Sequence, residues 1–146
     1  MPIFRKGTEE DIKHIAELEA KTFSDAWTET GVRETLGQKQ AFITVAEDGG
    51  ELIGYCIIYY VMDEAEIARI ATCETVRRTG VGRGLLHYAC ECCRGKQIER
   101  LLLDVRESNE GAIAFYKNYG FQIDGIRKGF YEIPKEDAVL MSMSLV

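Results

Sequence analysis

The sequence predicts a single domain, residues 1–146, of the α/β (α+β) class. Three observations support this prediction. The chain has 146 residues, the length of one domain. Its apolar content of 46% and charged content of 29% are those of ordinary globular proteins. Short segments rich in β-branched and aromatic residues alternate with segments of helical periodicity, in the order β-α-α-β-β-β-α-β-α-β-β. This order suits a mixed, twisted sheet with helices on both faces.

The first five predicted elements follow from apolar spacing and from start and stop signals. A capping-box-like Thr8-x-x-Asp11 begins a helix that runs through Ala20, with apolar residues at helical spacing on its inner face. A tight Asp48-Gly49-Gly50 turn joins two strands. In order, the elements are the strand Ile3–Lys6, the helix Thr8–Ala20, the shorter helix Trp27–Leu36, and the strands Ala41–Glu47 and Leu52–Met62.

The second half of the chain predicts two more helices and four strands. A glycine-rich segment opens the first of these helices, and Gly120 closes the second at its C′ position. Pro134 lies in the loop between the last two strands. In order, the elements are the strand Glu66–Thr72, a helix ending near Gly95, the strand Arg100–Val105, the helix Glu110–Tyr119, and the strands Phe121–Ile126 and Ala138–Ser144.

The glycine-rich segment predicts a binding site for a phosphate group. It reads Arg77-Arg78-Thr79-Gly80-Val81-Gly82-Arg83-Gly84. Its three alternate glycines allow positive φ and a close approach of the backbone to a ligand. The first N–H groups of the helix have no intrahelical partner and lie at the positive end of the helix dipole. Arg69, with Arg77, Arg78 and Arg83, adds positive charge. The alternative is an arginine-flanked turn without a ligand.

Two common phosphate-binding motifs do not fit this segment. A Walker loop needs Lys and Ser or Thr after the last glycine, where Leu85 and Leu86 stand. A dinucleotide fingerprint needs a third glycine at position 85 and a buried strand directly before the first one, where two arginines stand.

The pattern Arg77-x-x-Gly80-x-Gly82 resembles the Gln/Arg-x-x-Gly-x-Gly/Ala signature of the GNAT acetyltransferases. Ile70-Ala71-Thr72 before it resembles that family's strand 4. Leu101 to Asn109, Ala112 to Tyr116 and Tyr119-Gly120-Phe121 resemble its strand 5 and last helix. Asp63-Glu64-Ala65 and Ala26-Trp27-Thr28 resemble one branch, the RimI-type ribosomal-protein-alanine N-acetyltransferases. The resemblance implies a twisted sheet of six to seven strands with about four helices, and acetyl-coenzyme A (acetyl-CoA) as cosubstrate without a metal.

The resemblance also implies a role for each site residue. Asp104 and Tyr116 would be catalytic, and Tyr131 would contact the acceptor. The cofactor would be held by Ile70, Ala71, Thr72, Arg77, Arg78, Thr79, Gly80, Val81, Gly82, Arg83, Gly84 and Asn109. In the family the glycine-rich amides bind the pyrophosphate, and a bulge in strand 4 frees backbone groups for the acetyl carbonyl and pantetheine amides. The alternative for Ile70 to Thr72 is ordinary strand pairing, because the sequence alone cannot reveal a bulge.

Asp104 is the candidate base because it ends a predicted strand, where sheet proteins place ligands. RimI-type enzymes have a glutamate at the matching position. Aspartate is one methylene shorter, so a bridging water is expected to carry the proton. The alternative is a carboxylate that only pairs with Arg106 or Arg69. Glu64 and Glu66 are the next candidates for the base.

Tyr116 matches the family's tyrosine that protonates the leaving thiolate, a step that the usual phenol and thiol pKa values permit. Its alternative role is packing beside Phe115. Asn109 is a favoured helix cap and, by resemblance, a pantetheine contact. Tyr131 resembles a tyrosine of the acceptor region, but its neighbours match only in part, and a loop aromatic without substrate contact is equally consistent.

Cysteine content and charge limit the environment and the partners. Five cysteines, an odd number, favour core packing in a reducing compartment. Cys90-Glu91-Cys92-Cys93 lies in a predicted helix, and neither histidine has the spacing of a second metal-ligand pair. The net charge of −6 argues against nucleic acid and favours cationic partners. No apolar run is long enough to span a bilayer, and the first residues do not resemble a signal peptide, so we expect a cytoplasmic protein without membrane contact. We also expect a monomer or a weak dimer.

Three functions compete at this stage. The first is acetyl transfer from acetyl-CoA to the N-terminal α-amine of a ribosomal or other small protein. The second is acetylation of a small amine, such as a polyamine, an amino sugar or an amino acid. The third is a catalytically weak domain that senses acetyl-CoA, which the presence of both Asp104 and Tyr116 disfavours.

Overall fold

The computed structural model describes residues 1–146 and contains one sheet of seven strands in the order β1-β2-β3-β4-β5-β7-β6, with four α-helices. The strands are β1 Ile3–Lys6, β2 Ala41–Asp48, β3 Glu51–Val61, β4 Glu64–Thr72, β5 Arg100–Arg106, β6 Gln122–Glu132 and β7 Lys135–Ser144. The helices are α1 Ile12–Thr22, α2 Glu29–Leu36, α3 Val81–Gly95 and α4 Glu110–Tyr119.

The sheet is mixed, as predicted. All neighbouring strands are antiparallel except β4 and β5, which are parallel. A parallel pair needs a crossover connection, and α3 provides it. The predicted fold class is therefore confirmed. No helix of the structure combines the length and the apolar character needed to cross a membrane.

Two apolar clusters cover the two faces of the sheet. On one face, α1 and α2 pack on alternate residues of β2 and β3, among them Ile43, Tyr55 and Ile57. On the other face, α3 and α4 pack on the residues between these, such as Cys56 and Ile58. This alternation is that of a sheet covered on both sides. Cys90 and Cys93 of α3 are fully buried in the second cluster, which confirms the prediction that they pack in the core.

Several element boundaries differ from the prediction. The α2 helix begins at Glu29 because Thr28 caps it, its Oγ1 accepting the Gly31 N–H at 3.0 Å. The first turn after Thr8 is a 3₁₀ turn, and α1 begins only at Ile12. The β6 and β7 strands extend to a two-residue turn at Ile133-Pro134. Hydropathy did not reveal this extension because the distal part of the hairpin is mostly exposed, and backbone pairing there does not require apolar side chains.

The β4 strand has a bulge at Ala68, after which it separates from β5. Opposite β3, Ile57 pairs with Arg69 while the next residue, Ile58, pairs with Ile67, so Ala68 is the extra residue. On the other side, pairing with β5 ends at Ile67 and Leu103. The residues that follow in β4 therefore have a free edge facing β5. The structure thus contains the bulge that the family resemblance implied.

Candidate active site

The start of α3 presents a group of unpaired backbone N–H groups. Arg78 and Gly80 have positive φ values of 66° and 92°, and the helix begins at the next residue, Val81. The Gly84 N–H donates to the Gly80 carbonyl at 3.0 Å. No acceptor of the protein takes the N–H groups of Gly80, Val81, Gly82 and Arg83. Aligned with the helix dipole, these donors form a site suited to a phosphate group.

The three glycines of this segment have different structural roles. Of the three, only Gly80 uses a positive φ, whereas Gly82 and Gly84 are helical. A Cβ on Gly84 would lie 2.4 Å from Cζ of Phe4, which makes Gly84 a packing residue. A Cβ on Gly82 would meet only Phe115 and Thr72, at ordinary contact distances of 3.7 Å or more. Gly82 therefore keeps the approach to the helix start open without being needed for packing.

Three arginines carry the positive charge of this segment. Arg77, Arg78 and Arg83 are exposed and have no carboxylate partner, so their charge is available to a ligand. Arg83 lies over the Tyr119 ring, 5.0 Å from its centroid. With His87 and Arg94 it lines a basic cleft of about 570 Å³ along α3. Thr79 donates its hydroxyl to the Val76 carbonyl, which steadies the turn before the helix.

Arg69 does not belong to this phosphate site, which corrects its assignment there. Its Nε donates to Glu19 at 3.2 Å, and its Nη2 donates to the Asp25 side chain at 2.9 Å. The guanidinium also lies over the Phe23 ring, 4.2 Å from its centroid. These contacts direct Arg69 to the face covered by α1 and α2.

The free edge of β4 lies beyond the bulge. The Cys73 N–H donates to the Ile53 carbonyl of β3, and the Ala71 carbonyl also faces β3, 3.1 Å from the Cβ position of Gly54. Because peptide groups alternate in direction along a strand, those of Ile70 and Thr72 face the gap toward β5. These two residues are therefore the backbone groups of β4 that a ligand in the gap could reach, whereas Ala71 is engaged with β3.

Tyr116 lies on the α3–α4 face of the sheet, in the same cluster as Leu103 and Val105 of β5. Its ring packs edge-on against Phe115 and Phe121, and its hydroxyl has no hydrogen-bond partner in the protein. Burial, with smaller contributions from the nearby Cys56 and Tyr131, raises the pKa of Tyr116 and keeps the phenol protonated. The residue thus packs in the core and still has a hydroxyl free to donate.

Asn109 caps α4, as predicted, because its Oδ1 accepts the Ala112 N–H at 3.1 Å. The proposed contact with pantetheine is compatible with this cap, since the amide nitrogen of the side chain is not engaged in it.

Asp104 lies on the face of β5 opposite Tyr116, since Leu103 and Val105 on either side of it point into the α3–α4 core. The groove that it lines has a volume of about 670 Å³ and contains Glu66, Leu102, Arg127 and Leu140 among other side chains. No arginine pairs with Asp104. Arg106 instead binds Glu136 at 3.3 Å and the Ile133 and Pro134 carbonyls, and Arg69 binds Glu19 and Asp25. The alternative of a simple ion pair is therefore wrong.

Tyr131 lies near the tip of the β6–β7 hairpin. The Arg106 guanidinium stacks over its ring, 4.2 Å from the centroid. Burial and the negative charge of Asp104 raise the pKa of Tyr131. Arg106 thus holds the Tyr131 ring near the hairpin tip, and a contact of Tyr131 with the acceptor stays a prediction.

Sequence reasoning missed a buried carboxylate, Glu19, that holds the segment 23–28 between α1 and α2. Its side chain is fully buried and accepts from the Trp27 N–H at 2.9 Å, from Arg69 and from the Tyr55 hydroxyl. Burial and Glu19 together raise the pKa of Tyr55. A signal was present, because Glu19 is four residues after Ile15 on the buried face of the helix, a position where an unpaired carboxylate is not tolerated.

The two faces of the sheet meet at the gap between β4 and β5. The unpaired N–H groups of α3 and Tyr116 lie on the α3–α4 side, whereas Asp104 and Glu66 line the groove on the other side. A ligand whose phosphates rest on α3 can extend into the gap and place its reactive end where a second ligand arrives from the groove. This arrangement suits group transfer between two substrates.

Comparison with known proteins adds independent information. Residues 12–121 match the model of the acetyltransferase (GNAT) family. A Bacillus subtilis (strain 168) protein, provisionally named ribosomal protein bS18-alanine N-acetyltransferase, is 41% identical over 137 residues, 93% of this chain and 91% of that protein. The N-alpha-acetyltransferase RimI of Mycobacterium tuberculosis is 31% identical over 140 residues, 92% of this chain and 87% of that protein. The crystal structure of the ribosomal-protein-S18-alanine N-acetyltransferase from Escherichia coli has a TM-score of 0.91 at 26% identity, covering 99% of this chain and 94% of that one.

Proposed function

This chain belongs to the GNAT family and is an acetyl-CoA-dependent N-acetyltransferase, and we propose that its acceptor is the N-terminal α-amine of a ribosomal protein that begins with alanine. The observation that carries the proposal is the acidic groove of Asp104 and Glu66, which opens opposite the phosphate-binding amides. Relatives that share most of the chain are named for the same acceptor class.

The α3 start would hold the pyrophosphate of acetyl-CoA. The N–H groups of Gly80, Val81, Gly82 and Arg83 are free to donate, and Val81 can contribute only its backbone because its side chain is buried. Arg77, Arg78 and Arg83 would balance the remaining phosphate charge. The pantetheine arm would then follow the free edge of β4 past Asn109, so that the thioester lies in the gap between β4 and β5.

Transfer requires one bond to form and one to break. The neutral amine attacks the thioester carbonyl, a C–N bond forms, and the C–S bond breaks. A backbone N–H of β4 that faces the gap, at Ile70 or Thr72, would stabilise the oxyanion, a contribution worth about 3 kcal/mol in comparable sites. Tyr116 would give its proton to the departing sulfur, and Asp104 would receive the proton of the amine, directly or through water.

An α-amine suits this site better than a lysine side chain. Its usual pKa of about 7.7–8.0 means that a substantial fraction is already neutral near physiological pH, whereas lysine, near 10.4, is almost entirely charged. A carboxylate base is therefore adequate for an α-amine. The acidic groove also attracts the ammonium form before it loses its proton.

The test is acetyl transfer to a peptide carrying the N-terminal sequence of a bS18 protein, with mass spectrometry locating the acetyl group. We expect acetylation of the first nitrogen only, and no turnover when that nitrogen is blocked, even if internal lysines are present. Free polyamines, amino sugars and amino acids serve as competing acceptors in the same assay. Acetyl groups on lysine side chains, or activity on small amines alone, would reject the proposal.

A further inference from the structure

Glu66 and Asp104 face each other across the point where β4 and β5 begin to separate. In the parallel pairing Glu66 lies opposite Leu102, and Asp104 follows two residues later on the same face of β5. The last paired residues, Ile67 and Leu103, come directly before the gap. Both carboxylates line the groove on the acceptor side.

No cation neutralises this pair completely. Arg100, which lines the same groove, lies 3.7 Å from Glu64 and donates to Ser142. Arg127 of β6 stacks over Phe130, 5.3 Å from the ring centroid, and favours the charged form of Glu66 only as a minor effect. Asp124 of β6 adds negative charge to the groove.

The environment of Glu66 differs from that of an ordinary surface glutamate. Partial burial, the negative charge of Asp104 and a hydrogen bond with Asp104 raise the pKa of Glu66. Two carboxylates that face each other in this way favour binding one proton between them. Both side chains line the same groove, and that of Asp104 is one methylene shorter than that of Glu66.

We propose that Glu66 and Asp104 act as one proton-accepting pair, in which Glu66 supplies the reach that the shorter Asp104 lacks. The inference rests on the proposed function, because it assigns the base of that reaction. One proton leaves the ammonium nitrogen of the acceptor, becomes shared by the two carboxylates and is released to water, while the nitrogen keeps the electron pair that attacks the thioester. Glu66 therefore contacts the acceptor amine together with Asp104.

A double-mutant cycle tests the pair. In the natural background we expect Glu66→Gln to lower kcat/KM about tenfold or more, within the range of coupling for residues in contact. In an Asp104→Glu background, where the longer side chain restores the reach, the same change should have an effect of less than about threefold. Equal effects in the two backgrounds would overturn the proposal. Glu34→Gln on the exposed surface of α2 removes a charge from a carboxylate without an ion pair and serves as the control.

The pH profile gives a second readout that a merely structural role would not move. Glu66→Gln removes the carboxyl whose pKa is raised, so the acidic limb of kcat/KM should shift to lower pH. If Glu66→Gln changed neither the acidic limb of the pH profile nor the value of kcat/KM, the proposed pair would be rejected. Each assay uses whichever acceptor the wild-type protein acetylates best. A wild-type protein active only on small amines would therefore refute the proposed acceptor while the carboxylate pair is still tested.

Discussion

The cofactor side and the acceptor side of the gap are built in different ways. On the cofactor side, one continuous segment of eight residues provides the N–H groups and the positive charge. On the acceptor side, the groove is lined by side chains of separate elements, among them Glu66 of β4, Asp104 of β5 and Asp124 of β6. A phosphate can be recognised by backbone at one helix end, whereas an amine needs carboxylates positioned by the tertiary fold.

The two sides also differ in the interactions that stabilise them. Hydrogen bonds of a helix start and one left-handed glycine define the cofactor side, so few side chains there depend on one another. The acceptor side depends on two charged centres. Glu19 holds Arg69 and the segment 23–28, while Arg106 holds the tip of the β6–β7 hairpin. Single substitutions at these centres are therefore expected to disturb several groups at once.

The largest expected effect is at Tyr116, on the α3–α4 side of the sheet. Tyr116→Phe keeps the ring packing and removes only the hydroxyl, which has no partner within the protein. We expect kcat to fall by about 10²–10⁴, as for loss of a general acid, with acetyl-CoA affinity nearly unchanged. Steady-state kinetics and calorimetry measure the two quantities. Full activity would make Tyr116 a packing residue only.

The next largest effect is expected at Glu19, which anchors the segment 23–28. Glu19→Ala leaves Arg69 and the Trp27 N–H without their acceptor, and we expect the free energy of unfolding to fall by about 3–5 kcal/mol. The KM for the acceptor should rise more than the KM for acetyl-CoA, because the segment 23–28 packs on the same face of the sheet as Asp104 and loses its anchor.

Denaturant unfolding and kinetics at two substrates check the Glu19 prediction. Glu17→Ala on the same helix, with an exposed side chain, is the matched control and should change stability by less than about 0.5 kcal/mol. If both KM values rose equally, Glu19 would not distinguish the two sides.

A smaller effect on stability is expected to distinguish Gly84 from Gly82 on the cofactor side. Gly84→Ala places a Cβ 2.4 Å from Phe4, and we expect a loss of about 1–3 kcal/mol in stability. Gly82→Ala meets no such contact and should be neutral or gain up to about 1 kcal/mol of helix propensity. Gly82→Val should in addition abolish acetyl-CoA binding with the fold intact. Calorimetric binding unchanged in Gly82→Val would contradict the phosphate site.

The smallest effect is at Asp25. Burial alone would raise its pKa, but hydrogen bonds and charge from Arg69 lower the pKa below its usual value. A lowered pKa in the folded state means that the stabilisation is present above the unfolded pKa and is lost as the pH falls through the folded one. Because half of the Asp25 side chain is exposed, Asp25→Asn should cost only about 0.2–1 kcal/mol. Thermal unfolding at neutral and acidic pH should show this difference disappearing in acid.

The sequence predicted the cofactor side more accurately than the acceptor side, because the cofactor side is built from one continuous segment. The glycine-rich start of α3 and the capping Asn109 are local signals, and the structure places both as expected. Arg69 was assigned to the wrong site because its partners, Glu19 and Asp25, are 50 and 44 residues away in sequence. The roles of Asp104, Tyr116 and Tyr131 stay predictions, because Asp104 lines the groove while Tyr116 lies on the opposite face of the sheet.

The fold class, the order of the elements and the glycine-rich helix start could be predicted from the sequence, because apolar periodicity and helix-end chemistry act over a few neighbouring residues. In contrast, the packing role of Gly84, the bulge at Ala68 and the position of Glu66 beside Asp104 are visible only in the folded chain. Each of these depends on which residue of a distant element comes into contact. Strand register sets such contacts, and a shift of one residue would turn every side chain of a strand to the other face.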